Sequence, residues 1–214
     1  MPQQSTLKRA APFRRRLLAW YRIAARDLPW RHTRDPYRVL VSEFMLQQTQ
    51  VARVLEYYAP FLRKYPSLGS LARARPRAVR EAWDGLGYYR RATNLHRLAR
   101  EVVERHGGVV PSDPEELRRL PGVGPYTAGA VATFAYEKPA PAVDTNVRRV
   151  LSRVFGCRTA KVEELARLLQ PKRGKTAWTF YQALMELGAL VCAARTPKCG
   201  ECPVSRLCNW YLRT

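Results

Sequence analysis

The sequence predicts an all-α fold on three observations. Apolar residues recur at three- and four-residue intervals in several segments, no stretch sustains the alternation of a half-buried strand, and Pro and Gly punctuate the gaps. About ten short helices with almost no sheet are expected. In chain order, Val39, Leu40, Phe44, Leu46, Val51, Val54, Leu55 and Tyr58 recur at helical spacing, as do Leu95, Leu98, Val102 and Val103. A helix ends after Glu115-Glu116-Leu117-Arg118-Arg119, and Leu120-Pro121-Gly122-Val123-Gly124-Pro125-Tyr126 follows. Gly122 and Gly124, one residue apart, make a tight turn. Pro125 suits the first position of the next helix, which runs through Ala128 to Phe134. After the extended Pro139-Ala140-Pro141-Ala142-Val143, Asp144 opens a helix through Thr145, Asn146, Val147 and Val150 as its N-cap. Val162, Leu165, Ala166, Leu168 and Leu169 mark another, and Phe180, Leu184, Leu187 and Leu190 a last one running up to the cysteines. Pro66, Pro76, Gly107-Gly108 and Pro171 to Gly174 separate the rest.

With 214 residues, 46% of them hydrophobic, the chain can bury a core in one domain or two interlocked ones, and its composition excludes disorder. No apolar run approaches the roughly 20 residues that cross a bilayer. Leu17-Leu18-Ala19-Trp20, behind basic Arg14-Arg15-Arg16, is too short for a secretory signal. The expected location is therefore intracellular, in cytoplasm or nucleoid and away from membrane, where thiols stay reduced. Lys and Arg number 38 against 17 Asp and Glu, a net charge of +21, which reads as a polyanion binder.

Two motifs carry chemistry. Cys192, Cys199, Cys202 and Cys208 lie within the last 23 residues, while Cys157 stands apart. Four thiolates this close can converge on zinc or on an iron–sulfur cluster. One Cys-x2-Cys knuckle with two unequal arms departs from the paired knuckles of a zinc ribbon. The Gly122-Val123-Gly124 turn is either an ordinary helix–helix connection or a grip on phosphate, since glycines admit close backbone approach and a helix N-terminus offers free N–H groups.

The combination of hairpin, Pro-rich loop with Asp144 and C-x6-C-x2-C-x5-C resembles the endonuclease III branch of the helix–hairpin–helix DNA glycosylases, from about Leu28 to Cys208. Leu28-Pro29-Trp30-Arg31, Ser42 to Val51 (SEFMLQQTQV), Gly85-Leu86-Gly87-Tyr88-Tyr89, Val143 to Val147 and Glu186-Leu187-Gly188-Ala189 resemble the adenine-removing group within it. The resemblance implies two interlocked helical subdomains with a DNA-binding cleft between them. Residues 24–136 would form a six-helix barrel carrying the helix–hairpin–helix (about 114–134). Residues 1–23 with 137–214 would form the cluster-containing subdomain, with a [4Fe–4S] cluster on Cys192, Cys199, Cys202 and Cys208 in the loop 192–208. The implied partner is double-stranded DNA containing a mismatch or lesion, met by a monomer.

The implied activity is hydrolysis of the N-glycosidic bond of adenine opposite guanine or 8-oxoguanine. Breaking that bond builds positive charge on the sugar and negative charge on the base, so an acid and an anion are needed. By resemblance Glu43 is the acid, and desolvation among Val39, Val41, Phe44 and Leu46 would keep it protonated. On sequence pattern alone it could equally lie on a solvated helix face. Asp144, expected to stay ionised beside a helix N-terminus, stabilises the sugar cation or traps it, with Asn146 orienting it and Tyr126 supporting Glu43. Tyr126 stands where bifunctional relatives carry a Schiff-base lysine, which implies little strand cleavage beyond weak adventitious chemistry from residues such as Lys138. Gln48 and Tyr88 would meet the lesion, and Arg26, Leu28, Trp30, Arg31 and Gln182 would line the adenine pocket. Tyr88 and Trp30 read equally as packed aromatics. Arg195 and Lys198 would face phosphates.

Two departures stand out. The further C-terminal domain that recognises 8-oxoguanine is not expected here, and Thr145 replaces a small Gly. The archaeal thymine mismatch glycosylases share the Tyr–Asp pair, so removal of thymine or uracil opposite guanine is the alternative. A non-catalytic iron–sulfur DNA-binding protein would need neither Glu43 nor Asp144.

Overall fold

Several helices in this chain begin at a side-chain cap or a proline in the first turn. The computed structural model describes residues 3–213, with side chains from residue 8 onward. Residues 1, 2 and 214, part of the expected second subdomain, lie outside them. Among the described residues the fold is all-helical, with no strand. It divides into two compact units, Asp27–Tyr136 on one hand and Met1–Arg26 with Glu137–Thr214 on the other.

The Asp27–Tyr136 unit holds α2 (Pro36–Leu46), α3 (Val51–Lys64), α4 (Leu68–Arg73), α5 (Pro76–Glu81), α6 (Arg90–Arg105), α7 (Pro114–Leu117) and α8 (Pro125–Phe134). Asp35 caps α2 by accepting from the amides of Tyr37 and Arg38, with Pro36 at the first position. Ser67 and Ser70 form a reciprocal capping box at α4, and Asp113 caps α7. The apolar run from Val39 to Tyr58 proves to be two helices, broken at 47–50. Phe61, Trp83 and Tyr65 form the aromatic centre, with Phe61 edge-on to Trp83 at 5.6 Å. Leu55 and Val103, members of the apolar sets, point outward.

The other unit holds α1 (Gln3–Ala24), α9 (Thr145–Phe155), α10 (Val162–Leu169) and α11 (Gly174–Leu190), followed by short 3-10 turns at Cys199–Glu201, Ser205–Leu207 and Tyr211–Arg213. Phe13 of α1 meets Phe155 of α9 at 5.1 Å and Phe180 of α11 at 6.4 Å, both edge-on. The buried face of α9, Val147, Val150, Leu151, Val154 and Phe155, lies against α11 and α10. Gly156 ends α9 in the left-handed conformation at φ 63°. The segment beyond Cys208 docks on the end of that helix, with Asn209 and Trp210 amides donating to the carbonyls of Val154 and Arg153. No helix among the described residues is long and apolar enough to cross a membrane.

Candidate functional site

The start of α9 assembles the first cluster of functional groups. Asp144 caps the helix, its Oδ1 accepting from the Val147 amide at 2.7 Å and its Oδ2 from Asn146 Nδ2 at 2.9 Å. Asn146 Oδ1 in turn accepts from Arg149 Nη2 at 2.7 Å. The same guanidinium donates to the Gly188 carbonyl at 2.8 Å and, through Nε, to the Cys192 carbonyl at 2.7 Å. Both carboxylate oxygens of Asp144 are thus fixed, and the orienting amide is itself held. Gly188 makes room for this: a Cβ there would lie 2.5 Å from Asn146 Cβ. Burial pushes the Asp144 carboxyl above its ordinary range, against the Val147 and Asn146 hydrogen bonds and the Arg149 charge. That direction is opposite to what a helix N-terminus alone imposes. Thr145 is exposed at the first helical position.

The four clustered cysteines are free thiols that line one cavity of about 20 Å³, closed by apolar Val150, Val154, Leu187, Val191 and Val204. Arg153 donates to Cys192 Sγ at 3.4 Å and to the Ala193 and Ala194 carbonyls, while its guanidinium lies 4.9 Å from the Trp210 ring centre. Burial, then repulsion from neighbouring thiolates, raises Cys199; burial pushes Cys202 up to about 11. Thiols so placed hold their protons until a metal centre binds the thiolates and the protons pass to solvent. Among the described residues no three His, Cys, Asp or Glu side chains approach one point closely enough for a single metal ion. Cys157 stays apart, as its spacing suggested.

In the other unit, Glu43 lies on α2, 4% exposed, between buried Val41 and Phe44 rather than on a solvated face. α2 rests against α8, whose second residue is Tyr126. The two hairpin glycines have different duties. Gly122 adopts φ 78°, and a Cβ on it would meet Asn94 and Phe44 within 2.9 Å, so the turn demands glycine. Gly124 has ordinary φ, caps α8, and its missing side chain would enter open space. Fold geometry does not require glycine at position 124.

Gln48 and Tyr88 are exposed, Tyr88 by 61%, so it is not the packed aromatic that its surroundings allowed. Leu28 and Trp30 are buried, with Trp30 edge-on to Tyr58 at 5.4 Å; Arg31 is half-buried. Arg26 commits its guanidinium to Glu186, with Nε to Oε1 at 2.7 Å and Nη2 to Oε2 at 3.0 Å. Gln182 is buried one turn before Glu186 on α11. Arg195 and Lys198 are exposed in the cysteine loop. Arg149 and Arg153, four residues apart on α9, escaped the sequence reading; their spacing along one helix face before the cysteine run was the available signal.

A family model described as HhH-GPD superfamily base excision DNA repair protein matches residues 41–173. The chain is 49% identical over 201 residues to an adenine DNA glycosylase of Mycolicibacterium smegmatis, covering 91% of this chain and 68% of that protein. It is 40% identical over 213 residues to a thymine-DNA glycosylase of Aeropyrum pernix, covering 95% and 96%. A solved thermostable thymine-DNA glycosylase superposes with a TM-score of 0.90 at 35% identity, covering 97% of this chain and 98% of that one. The chain spans about two thirds of the length of the mycobacterial adenine DNA glycosylases that it matches, and about two fifths of the mouse one.

Proposed function

The chain belongs to the HhH-GPD superfamily of base excision DNA repair proteins, and from that premise we propose that it is a monofunctional DNA glycosylase hydrolysing the N-glycosidic bond of adenine mispaired with guanine or 8-oxoguanine. The observation that carries this reading is the start of α9, where Val147, Asn146 and Arg149 fix a single carboxylate in place. A carboxylate held this way is preorganised for a cation that exists only in the transition state.

In this mechanism Glu43 donates a proton to adenine N7, the C1′–N9 bond breaks, and its electron pair leaves with the base. Asp144 stabilises the resulting sugar cation. Water adds to C1′ as Glu43, now a carboxylate, takes one of its protons, which restores the starting state. The buried setting of Glu43 supports the acid role. Tyr126, lacking an amine, supports hydrolysis without Schiff-base strand cleavage. The substrate is duplex DNA with the target base extruded, and the net charge of +21 with open space at Gly124 supports a backbone grip.

Four free thiols around one apolar cavity, with no carboxylate in its lining, suit an all-sulfur site. One Cys-x2-Cys knuckle with two unequal arms favours an iron–sulfur group over the paired knuckles of a zinc ribbon. Cys192, Cys199, Cys202 and Cys208 would hold a [4Fe–4S] cluster, which when bound cross-links the loop 192–208.

A second reading, thymine or uracil removal opposite guanine, has its own support in the near-complete coverage of the thymine-DNA glycosylases. The purified protein incubated with A:G, A:8-oxoguanine, T:G and U:G duplexes, then treated with or without alkali, separates the two. Alkali-dependent cleavage at adenine is the expected result; cleavage confined to T:G and U:G overturns the adenine reading.

A further inference from the structure

Gln48 and Tyr88 share a feature that their roles as exposed side chains do not explain. Their φ angles are 57° and 47°, left-handed values that non-glycine residues rarely adopt. Such conformations persist where the surroundings over-determine them. One buried side chain does so for both. Arg91 donates through Nη1 to the carbonyls of Phe44 (3.2 Å), Met45 (2.7 Å) and Gln47, and through Nη2 to those of Leu86 and Gly87 at 3.0 Å each. The carbonyls immediately before both left-handed residues are therefore held by a single guanidinium. Its carbon lies 5.5 Å from the Tyr88 ring centre and 5.6 Å from that of Trp83. Arg53 of α3 adds a second tether, donating to the Gly85 carbonyl at 3.2 and 3.3 Å.

The placement of Arg91 makes little sense for its own helix. As the second residue of α6 it opposes that helix's dipole. It sits instead at the C-terminus of α2, whose last carbonyls lack intrahelical partners and where a left-handed glycine would ordinarily end the helix. That helix also carries Glu43, one turn before Gln47.

We propose that Arg91 is a positioning residue for mispair recognition, locking the Gln48 and Tyr88 loops into one rigid wedge, a role that rests on the DNA-glycosylase reading. The guanidinium fork reaches two groups of carbonyls at once, whereas a lysine keeps the charge but offers one compact donor.

The test compares the full chain with Arg91→Lys, and with Tyr37→Phe as a control. The control loses a buried hydrogen bond to the Tyr65 carbonyl at 2.7 Å in the same unit and serves to gauge general destabilisation. Binding is measured to a matched duplex and to the A:G, A:8-oxoguanine, T:G and U:G duplexes. Arg91→Lys should bind the matched duplex within about twofold of wild type, because the charge remains. It should lose at least about tenfold of the preference for the favoured mispair, because the wedge is misplaced. Tyr37→Phe should keep that preference. An Arg91→Lys protein that retains it within about twofold overturns the proposal.

Hydrogen exchange of the wild-type chain adds a measurement that depends neither on the variant folding nor on which base is removed. Amides of 47–50 and 85–89 should open together, with one temperature dependence; independent opening of the two loops refutes the lock. A wild type that favours thymine or uracil mispairs, or none of the four, counts against the adenine reading alone.

Discussion

The start of α9 and the end of α2 face the same difficulty and meet it in opposite ways. Each is a helix end with unsatisfied backbone groups and a functional side chain attached. At α9 the remedy is local: Asp144 accepts from an amide three residues ahead, and Asn146 and Arg149 lie within the next turn. At α2 the remedy is remote: Arg91, 44 residues beyond Gln47, supplies the donors that the helix end lacks. The first arrangement holds a half-buried carboxylate by its own neighbours. The second holds exposed side chains on strained backbone that would otherwise relax. A local remedy positions one group; a remote one ties two loops to each other.

The largest effect comes from breaking the α9 end. Asp144→Asn keeps the cap acceptor and the side-chain size but removes the charge. Base release should fall by about 10³-fold, while affinity for the duplex stays near wild type. Single-turnover rates beside equilibrium binding check this, and base release at the wild-type rate would end the assignment of Asp144. Gly188→Ala attacks the same end through packing. The added methyl meets Asn146 Cβ at 2.5 Å, so stability should drop by about 1–3 kcal/mol despite alanine's better helix propensity. Thermal melts measure the loss, and base release should fall with it because Asn146 is displaced from Asp144.

The contrast between local and remote remedies also explains what the sequence revealed. The cap at Asp144, Pro125 at the head of α8 and the Gly122 turn all carry their signals within a few residues, and the structure forms helices there. The break at 47–50 has no Gly or Pro to announce it, because Arg91 does that work from another helix. α1 carries Pro12 and a run of arginines across its apolar spacing, which masks its 22 residues. Arg149 and Arg153 are two among 38 basic residues, and their four-residue spacing alone does not set them apart until their partners at Cys192 to Ala194 are in place. The roles proposed for Glu43 and Asp144 rest on family resemblance rather than on spacing, since a buried Glu or a capping Asp has many uses.

A smaller effect, of opposite sign, sharpens the α2 end. Gln48→Gly removes a left-handed penalty of about 1 kcal/mol, offset by about 0.5 kcal/mol of added freedom in the unfolded chain. The variant should therefore melt about 1–2 °C higher while discriminating mispairs less well. A protein that gains stability as it loses recognition is expected only if position 48 is strained for function. A fall in melting temperature would mean that the side chain contributes to the fold itself.

The smallest effect concerns pH, and its sign separates stability from activity at Asp144. Burial raises this carboxyl above its ordinary value, so folding favours the protonated form more than the unfolded chain does. The contribution of Asp144 to stability is then fully present below the ordinary aspartate pKa, and it is lost as pH rises through the raised folded value. Activity runs the other way, because only the ionised carboxylate stabilises the sugar cation. The acid limb of base release should lie above the ordinary aspartate range. Through the same window the melting temperature of wild type should improve relative to Asp144→Asn as pH falls. Melts of the two proteins across that window, set against wild-type rates, give both curves. Parallel rather than opposed trends would show that the hydrogen bonds from Val147 and Asn146 outweigh burial, and that the anion is the form the fold prefers.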